Sequence, residues 1–222
     1  MARVLVPLAD GVEEMEAVII IDTLRRAKWE VVSASVHRSE EIGTSILAYS
    51  AETAASAAKA GRSKATAEDG SADKSAGIHG DVVNASRGVK LLPDTEWHNI
   101  DPASFDILVL PGGIEGTNAL STDERVLETI RSFVRENKPV AAICAGPLVL
   151  ESAGILKERK VTCHPAVRDR LISARVQDDR VVIDGQIITS QGPGTAFEFA
   201  LAIIRLVDGN DAADAVAESL VM

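Results

Sequence analysis

The chain has 222 residues, 46% of them apolar and 25% charged, enough for one sizeable soluble domain with its own core. A formal net charge of −10 opposes nucleic acid and anionic membrane as partners, because both call for a basic surface, and no basic stripe with interleaved aromatics occurs. The first residues turn polar too soon for a signal peptide, no apolar run approaches a membrane span, and two cysteines do not make a disulfide framework, so a reducing compartment, the cytoplasm, is expected.

Arg3 to Leu8 reads as a first buried strand, Asp10–Gly11 as a turn, and Glu13 to Ala27 as a helix with Glu13 and Glu14 facing water in its first turn. Glu30 to Val36 is the second strand. Asp106 to Leu110 is another, closed by Pro111-Gly112-Gly113. Asp123 to Asn137 is an amphipathic helix, with Ser121 or Thr122 expected at its cap. Val140 to Ile143 is a short buried strand that stops at Cys144-Ala145-Gly146-Pro147, and Leu148 to Ala153 is helical at once. Val161–Thr162 is a strand leading to His164–Pro165. Arg175 to Gln177 and Val181 to Ile183 flank Asp178–Asp179 like a hairpin, and Ile187 to Ser190 is a strand ending in Gln191-Gly192-Pro193-Gly194. Thr195 to Val207 and Ala212 to Leu220 are the last helices. Strands alternating with helices predict an α/β protein: a doubly wound, mostly parallel sheet with helices on both faces.

One stretch breaks this pattern. Residues 48 to 77 hold eleven alanines, five serines and three glycines, and no Val, Ile, Leu, Phe or Trp. Such a segment cannot bury a core of its own, and it is expected to be a surface insertion in a single domain spanning 1–222.

The chemistry-bearing residues fall at strand ends. A strand that turns sharply into a helix lifts the turn residue out of the sheet and aims a helix N-terminus at it, which would ionise the Cys144 thiol in part. A buried structural cysteine is the alternative reading. Gly112, Gly113 and Ala145 can each offer a backbone N–H to an oxyanion, or simply make turns. His164 reads equally as catalytic or as a hydrogen-bonded structural histidine. Glu16 precedes the apolar run Ala17 to Ile21, so it is expected to point inward, with a raised pKa, as an acid or base. In a parallel sheet these strand ends share one edge, where α/β sites form. No dinucleotide fingerprint, Walker A loop, serine elbow or zinc spacing is present, so no cofactor and no metal are expected.

Five segments, Gly11 to Ala17, Leu110 to Gly113, Ala141 to Pro147, Val161 to Pro165 and Thr189 to Ala200, together resemble the ThiJ/PfpI superfamily, in particular its deglycase or glyoxalase III-type branch. The resemblance covers nearly all of the chain except the insertion. It implies a flavodoxin-like fold, a homodimer, and a small-molecule aldehyde substrate. By this resemblance Cys144 is the reactive cysteine, Glu16 the protonated glutamate bonded to its thiolate, His164 the histidine beside the pocket, and Gly113 and Ala145 the oxyanion amides. Ala145 follows the cysteine where the protease branch commonly has histidine, which disfavours proteolysis. Gln191 stands where animal relatives often carry Arg, so anion contacts from that Arg do not carry over. The implied activity is a glutathione-independent glyoxalase or deglycase. The alternatives are a non-enzymatic redox sensor or chaperone built on the same thiol, and an interaction protein working through the insertion.

Overall fold

The computed structural model describes residues 1–37 and 81–222, so the insertion expected at 48–77 lies outside the described residues. Residues 1–36 and 81–222 belong to one compact unit. Its centre is a seven-stranded sheet. β1 (Arg3–Leu8) lies between β2 (Glu30–Ser35) and β6 (Ile107–Leu110). β5 (Thr95–Glu96) flanks β2 at one edge. Beyond β6 come β7 (Val140–Ile143), β11 (Ile187–Ser190) and the edge strand β10 (Val181–Asp184). Every pairing is parallel except β10 with β11, which confirms the flavodoxin-like α/β class.

β6 and β7 are apolar at every position, as is β1 after Arg3, because both faces are covered, and their side chains alternate between two cores. Leu5, Leu108, Leu110, Val140 and Ala142 pack with α3 (Glu124–Arg135) and α4 (Pro147–Ser152). Val4, Val6, Ile107, Val109, Ala141 and Ile143 pack on the other face with α1 (Glu14–Arg26), α5 (Ala196–Asp208) and α6 (Asn210–Ser219). Phe133 of α3 and Phe199 of α5 are the largest fully buried side chains, one for each core. The strand order reverses between β1 and β6, and their carboxyl ends open there, at the position where doubly wound sheets bind ligands.

Two local expectations are corrected. Asp123, not Ser121 or Thr122, caps α3, its side chain accepting from the Arg125 N–H at 2.9 Å. Val181 to Asp184 pairs with Ile187 to Ser190 rather than with the segment before it. Gly185, at φ +62, makes the tight turn that an L-side chain resists, whereas Asp178–Asp179 has no such residue. The strand β9 (Arg175–Val176) instead pairs in parallel with β8 (Lys160–Val161). A short helix, α2 (Ile114–Leu120), follows Gly113; its seven residues include Gly116 and carry too little periodicity to be read. The hairpin of β3 (Val83–Asn84) and β4 (Lys90–Leu91) was also not foreseen.

Candidate active site

Cys144 caps the end of β7 with φ +62, the left-handed region that costs an L-residue roughly 1–2 kcal/mol. The strain is held by bonds on both sides. The Cys144 N–H donates to the Ser190 carbonyl at 2.9 Å, and its own carbonyl accepts from the His164 N–H at 2.9 Å. α4 then starts at Pro147, with no N–H to leave unpaired. The turn lifts the half-buried sulfur out of the sheet toward the loops after β1 and β6.

Gly112 explains why that approach is possible. A Cβ there would lie 2.6 Å from the Cys144 Cβ, 2.7 Å from Glu16 Oε2 and 3.0 Å from the Ala145 nitrogen, so the three meet only because Gly112 has no side chain. Gly113 is equally constrained, with φ +91 and the Gly11 carbonyl oxygen 2.2 Å from where its Cβ would be. The β1–α1 and β6–α2 loops are thus pressed together, and the Glu13 N–H donates to the Gly112 carbonyl at 2.9 Å.

Glu16 is wholly buried in the first turn of α1. Its Oε2 accepts from the Gly112 N–H at 2.7 Å, its carboxyl lies beside the Cys144 side chain across Gly112, and its own backbone N–H is capped by Glu13 Oε2 at 2.7 Å. Burial pushes its carboxyl up to about 7, against the Gly112 N–H and the neighbouring Cys144 thiol, which pull down; the Glu13 charge pushes the same way as burial. For Cys144, burial and an ionised Glu16 push the thiol up to about 12, while N–H groups of Gly113 and Ala145 pull it down. The helix-terminus effect expected from sequence is therefore present, through Ala145, but outweighed when Glu16 is charged.

Cys144 and Glu16 hence lose their first proton near neutrality and their second only at high pH, carrying one negative charge between them. The donors favour sulfur as its seat. The Gly113 and Ala145 amides both favour charge on Cys144, whereas Glu16 accepts from one N–H only, and its buried Oε1 has no partner. A proton on the carboxyl relieves that bare oxygen and makes Glu16 a donor toward the thiolate.

His164 is joined to the site through its main chain. Its exposed ring accepts from the Ala166 N–H at Nδ1, 3.1 Å, so the neutral ring carries its proton on Nε2 and presents a donor there. A Cβ at Gly192 would lie 3.5 Å from its Cδ2. Gly192 in turn is held by Thr195 Oγ1, which accepts from its N–H at 3.1 Å and shares a 2.6 Å hydrogen bond with Ser190 Oγ.

The structure therefore gathers Cys144, Glu16, Gly112, Gly113 and Ala145 around one sulfur and ties His164 to it by the backbone. Glu13, the cap of Glu16, was missed because a first-turn glutamate ordinarily faces water. Glu14 was expected to face water and is buried instead. Cys163 is buried in the core opposite the one that Cys144 touches, and both cysteines are free. Among the described residues no group of three or more His, Cys, Asp or Glu could hold a metal. Hollows of about 290 Å³ beside Asp22 and Asp94, and about 330 Å³ beside Arg125 and Glu136, are lined by none of these site residues.

A doubly wound α/β protein with a strained cysteine between strand and helix, and a buried carboxyl against its sulfur, is the class that fold and site define. The DJ-1/PfpI family matches residues 2–206, and the chain belongs to it. It is 34% identical to the protein dj-1beta of Drosophila melanogaster over 98% of this chain and 96% of that one. The crystal structure of Drosophila melanogaster DJ-1beta superposes with a TM-score of 0.79 at 33% identity, covering 100% of this chain and 99% of that one. The glutathione-independent glyoxalase DJR-1.2 of Caenorhabditis elegans is 37% identical over 65% of this chain and 78% of its own. The chain is 38% identical to DJ-1 homolog B of Arabidopsis thaliana over 94% of this chain, but spans only 39% of that protein's length. No helix among the described residues is long and apolar enough to cross a membrane.

Proposed function

We propose that the protein is a cofactor-independent glyoxalase or deglycase that acts on α-oxoaldehydes such as methylglyoxal, or on their early adducts with amines. The observation that carries this reading is the wholly buried Glu16 carboxyl beside Cys144, with the Gly113 and Ala145 amides close to the same side chain. The likeness to a glutathione-independent glyoxalase supports it.

In this reading the Cys144 thiolate adds to the aldehyde carbon, and Glu16 gives its proton to the new alkoxide, leaving a hemithioacetal. The Gly113 and Ala145 amides stabilise negative charge on that oxygen. Glu16, now a carboxylate, takes the proton from the aldehyde carbon to form an enediol and returns one to the neighbouring carbon, which yields a thioester. The Nε2–H of His164 suits it to donate to a substrate oxygen rather than to act as the base. Water hydrolyses the thioester and releases lactate and the thiolate, so methylglyoxal and water are consumed and lactate is formed with no redox partner. No glutathione is needed because Cys144 supplies the sulfur. Lactate formed from methylglyoxal without glutathione tests the reading. It should appear with wild type and vanish with Cys144→Ala; equal rates, or none in the wild type, would refute it.

A thiolate at Cys144, if the pair's charge rests on sulfur, favours a second reading as an oxidant sensor, since thiolate character and exposure set oxidation. Mild peroxide followed by mass spectrometry separates it. A sensor requires oxidation at Cys144 in preference to Cys163.

The free cysteines fit a reducing compartment such as the cytoplasm. We also propose a homodimer formed through the outer face of α1, where Met15 and Val18 are exposed, beside exposed Leu92. The domain is proposed to be single, with residues 48–77 as an insertion.

A further inference from the structure

The buried carboxylates among the described residues are Glu16 and Glu14, and the chemistry above uses only the first. Glu14 stands in the same helical turn but takes different partners. Its Oε2 accepts from Ser86 Oγ at 2.9 Å and its Oε1 from the Arg87 N–H at 2.9 Å, both in the turn joining β3 to β4. Burial works against its charge, yet these and other backbone N–H bonds hold its carboxyl below the usual carboxylate range, so it stays ionised.

The turn it binds lies along the loop that carries Glu16. The Gly11 N–H donates to the Asn84 carbonyl at 2.7 Å, and the Ser86 N–H to the Val12 carbonyl at 2.8 Å. The Asn84 N–H donates to Asp10 Oδ1 at 2.7 Å. The other flank of that loop is pinned by the Glu13 N–H to Gly112 carbonyl bond, 2.9 Å. Residues 10–14 are therefore gripped between the β3–β4 turn and the Gly112–Gly113 turn, and Glu16 leaves that grip directly toward Gly112 and Cys144.

We infer that Glu14 is a positioning residue for the Cys144–Glu16 pair: by clamping the β3–β4 turn onto the first turn of α1, it keeps Glu16 dry and aligned on the sulfur. This rests on the reading that the pair is the reactive unit. The titratable groups facing Glu16 are Cys144 and Glu13, and Asp10, Arg87 and Glu115 border the same loop. With the clamp released, water reaches Glu16 and its proton leaves at lower pH. The pair's charge then moves to the carboxylate and the sulfur becomes a poorer nucleophile at neutral pH.

The test is the rate of Cys144 alkylation by iodoacetamide against pH, followed by peptide mass spectrometry so that Cys163 is counted separately. Glu14→Gln removes the clamp's charge and leaves one carbonyl oxygen where two carboxylate oxygens met Ser86 Oγ and the Arg87 N–H, and should move the midpoint up by at least about half a unit, roughly a twofold loss of rate at the wild-type midpoint. Ser86→Ala removes one bond and should give a smaller shift of the same sign; it decides the matter if Glu14→Gln does not fold. In a Glu16→Gln background neither change should add anything, because the effect runs through Glu16. A folded Glu14→Gln with the wild-type profile, or an equal shift in both backgrounds, would overturn the inference. Alkylation needs no turnover, so failure of the glyoxalase reading would leave this result readable.

Discussion

Glu16→Gln should make the folded protein more stable, by an amount that grows with pH. In the fold the Cys144–Glu16 pair gives up its first proton only at about 7, whereas the unfolded Glu16 carboxyl gives up its own at 4.5. A group whose folded pKa lies above its unfolded value stabilises the fold fully below the unfolded value, and that contribution is lost as pH rises through the folded one. Wild type should therefore lose stability between these two values, whereas glutamine stays neutral throughout. The separation of the two values corresponds to about 3 kcal/mol at most, a large share of the stability of an ordinary domain. Glutamine also keeps an acceptor for the Gly112 N–H, so the substitution should leave no new unpaired donor there. Urea denaturation of both proteins at a series of pH values gives the difference directly. It should be small near about pH 4.5 and approach 2–3 kcal/mol, roughly, by about pH 8. A difference that stays constant with pH, or that favours wild type as pH rises, would refute the assignment of Glu16 as a buried, readily protonated carboxyl.

Cys144→Gly should be at least as stable as Cys144→Ala, by up to about 1 kcal/mol, because only glycine escapes the strain at φ +62; thermal denaturation showing the glycine variant clearly weaker would contradict that backbone. Asp123→Ala should cost about 1 kcal/mol through loss of the α3 cap, whereas Ser121→Ala should stay within about 0.5 kcal/mol, and denaturant midpoints for the two compare them.

The sequence carried the sheet and most of the site for different reasons. The strands were readable because each is a short apolar run buried on both faces, and the site because Cys144, Gly112–Gly113 and Glu16 all follow such runs at strand ends that a parallel sheet must bring to one edge. The failures are local. α2 is too short, and interrupted by Gly116, to show a period. The β10–β11 turn depended on Gly185 adopting φ +62, which competed with a more obvious polar pair at Asp178–Asp179. Glu14 looked like a surface charge because its partners, Ser86 and the Arg87 N–H, lie more than seventy positions along the chain. The ionisation of Cys144 was anticipated from one helix terminus, yet it depends on burial and on whether Glu16 holds its proton, and neither can be weighed without the packing.

The central claim is that Cys144 and Glu16 hold one proton between them, with the charge resting on sulfur. Thiolate absorbance titrated against pH, with Cys144→Ala as the blank, tests it most directly. The account predicts that wild-type Cys144 ionises near neutrality, well below the ordinary thiol value of 9.0, and that Glu16→Gln raises the midpoint. A wild-type thiol that stays protonated beyond that value would place the charge on Glu16 and contradict the account.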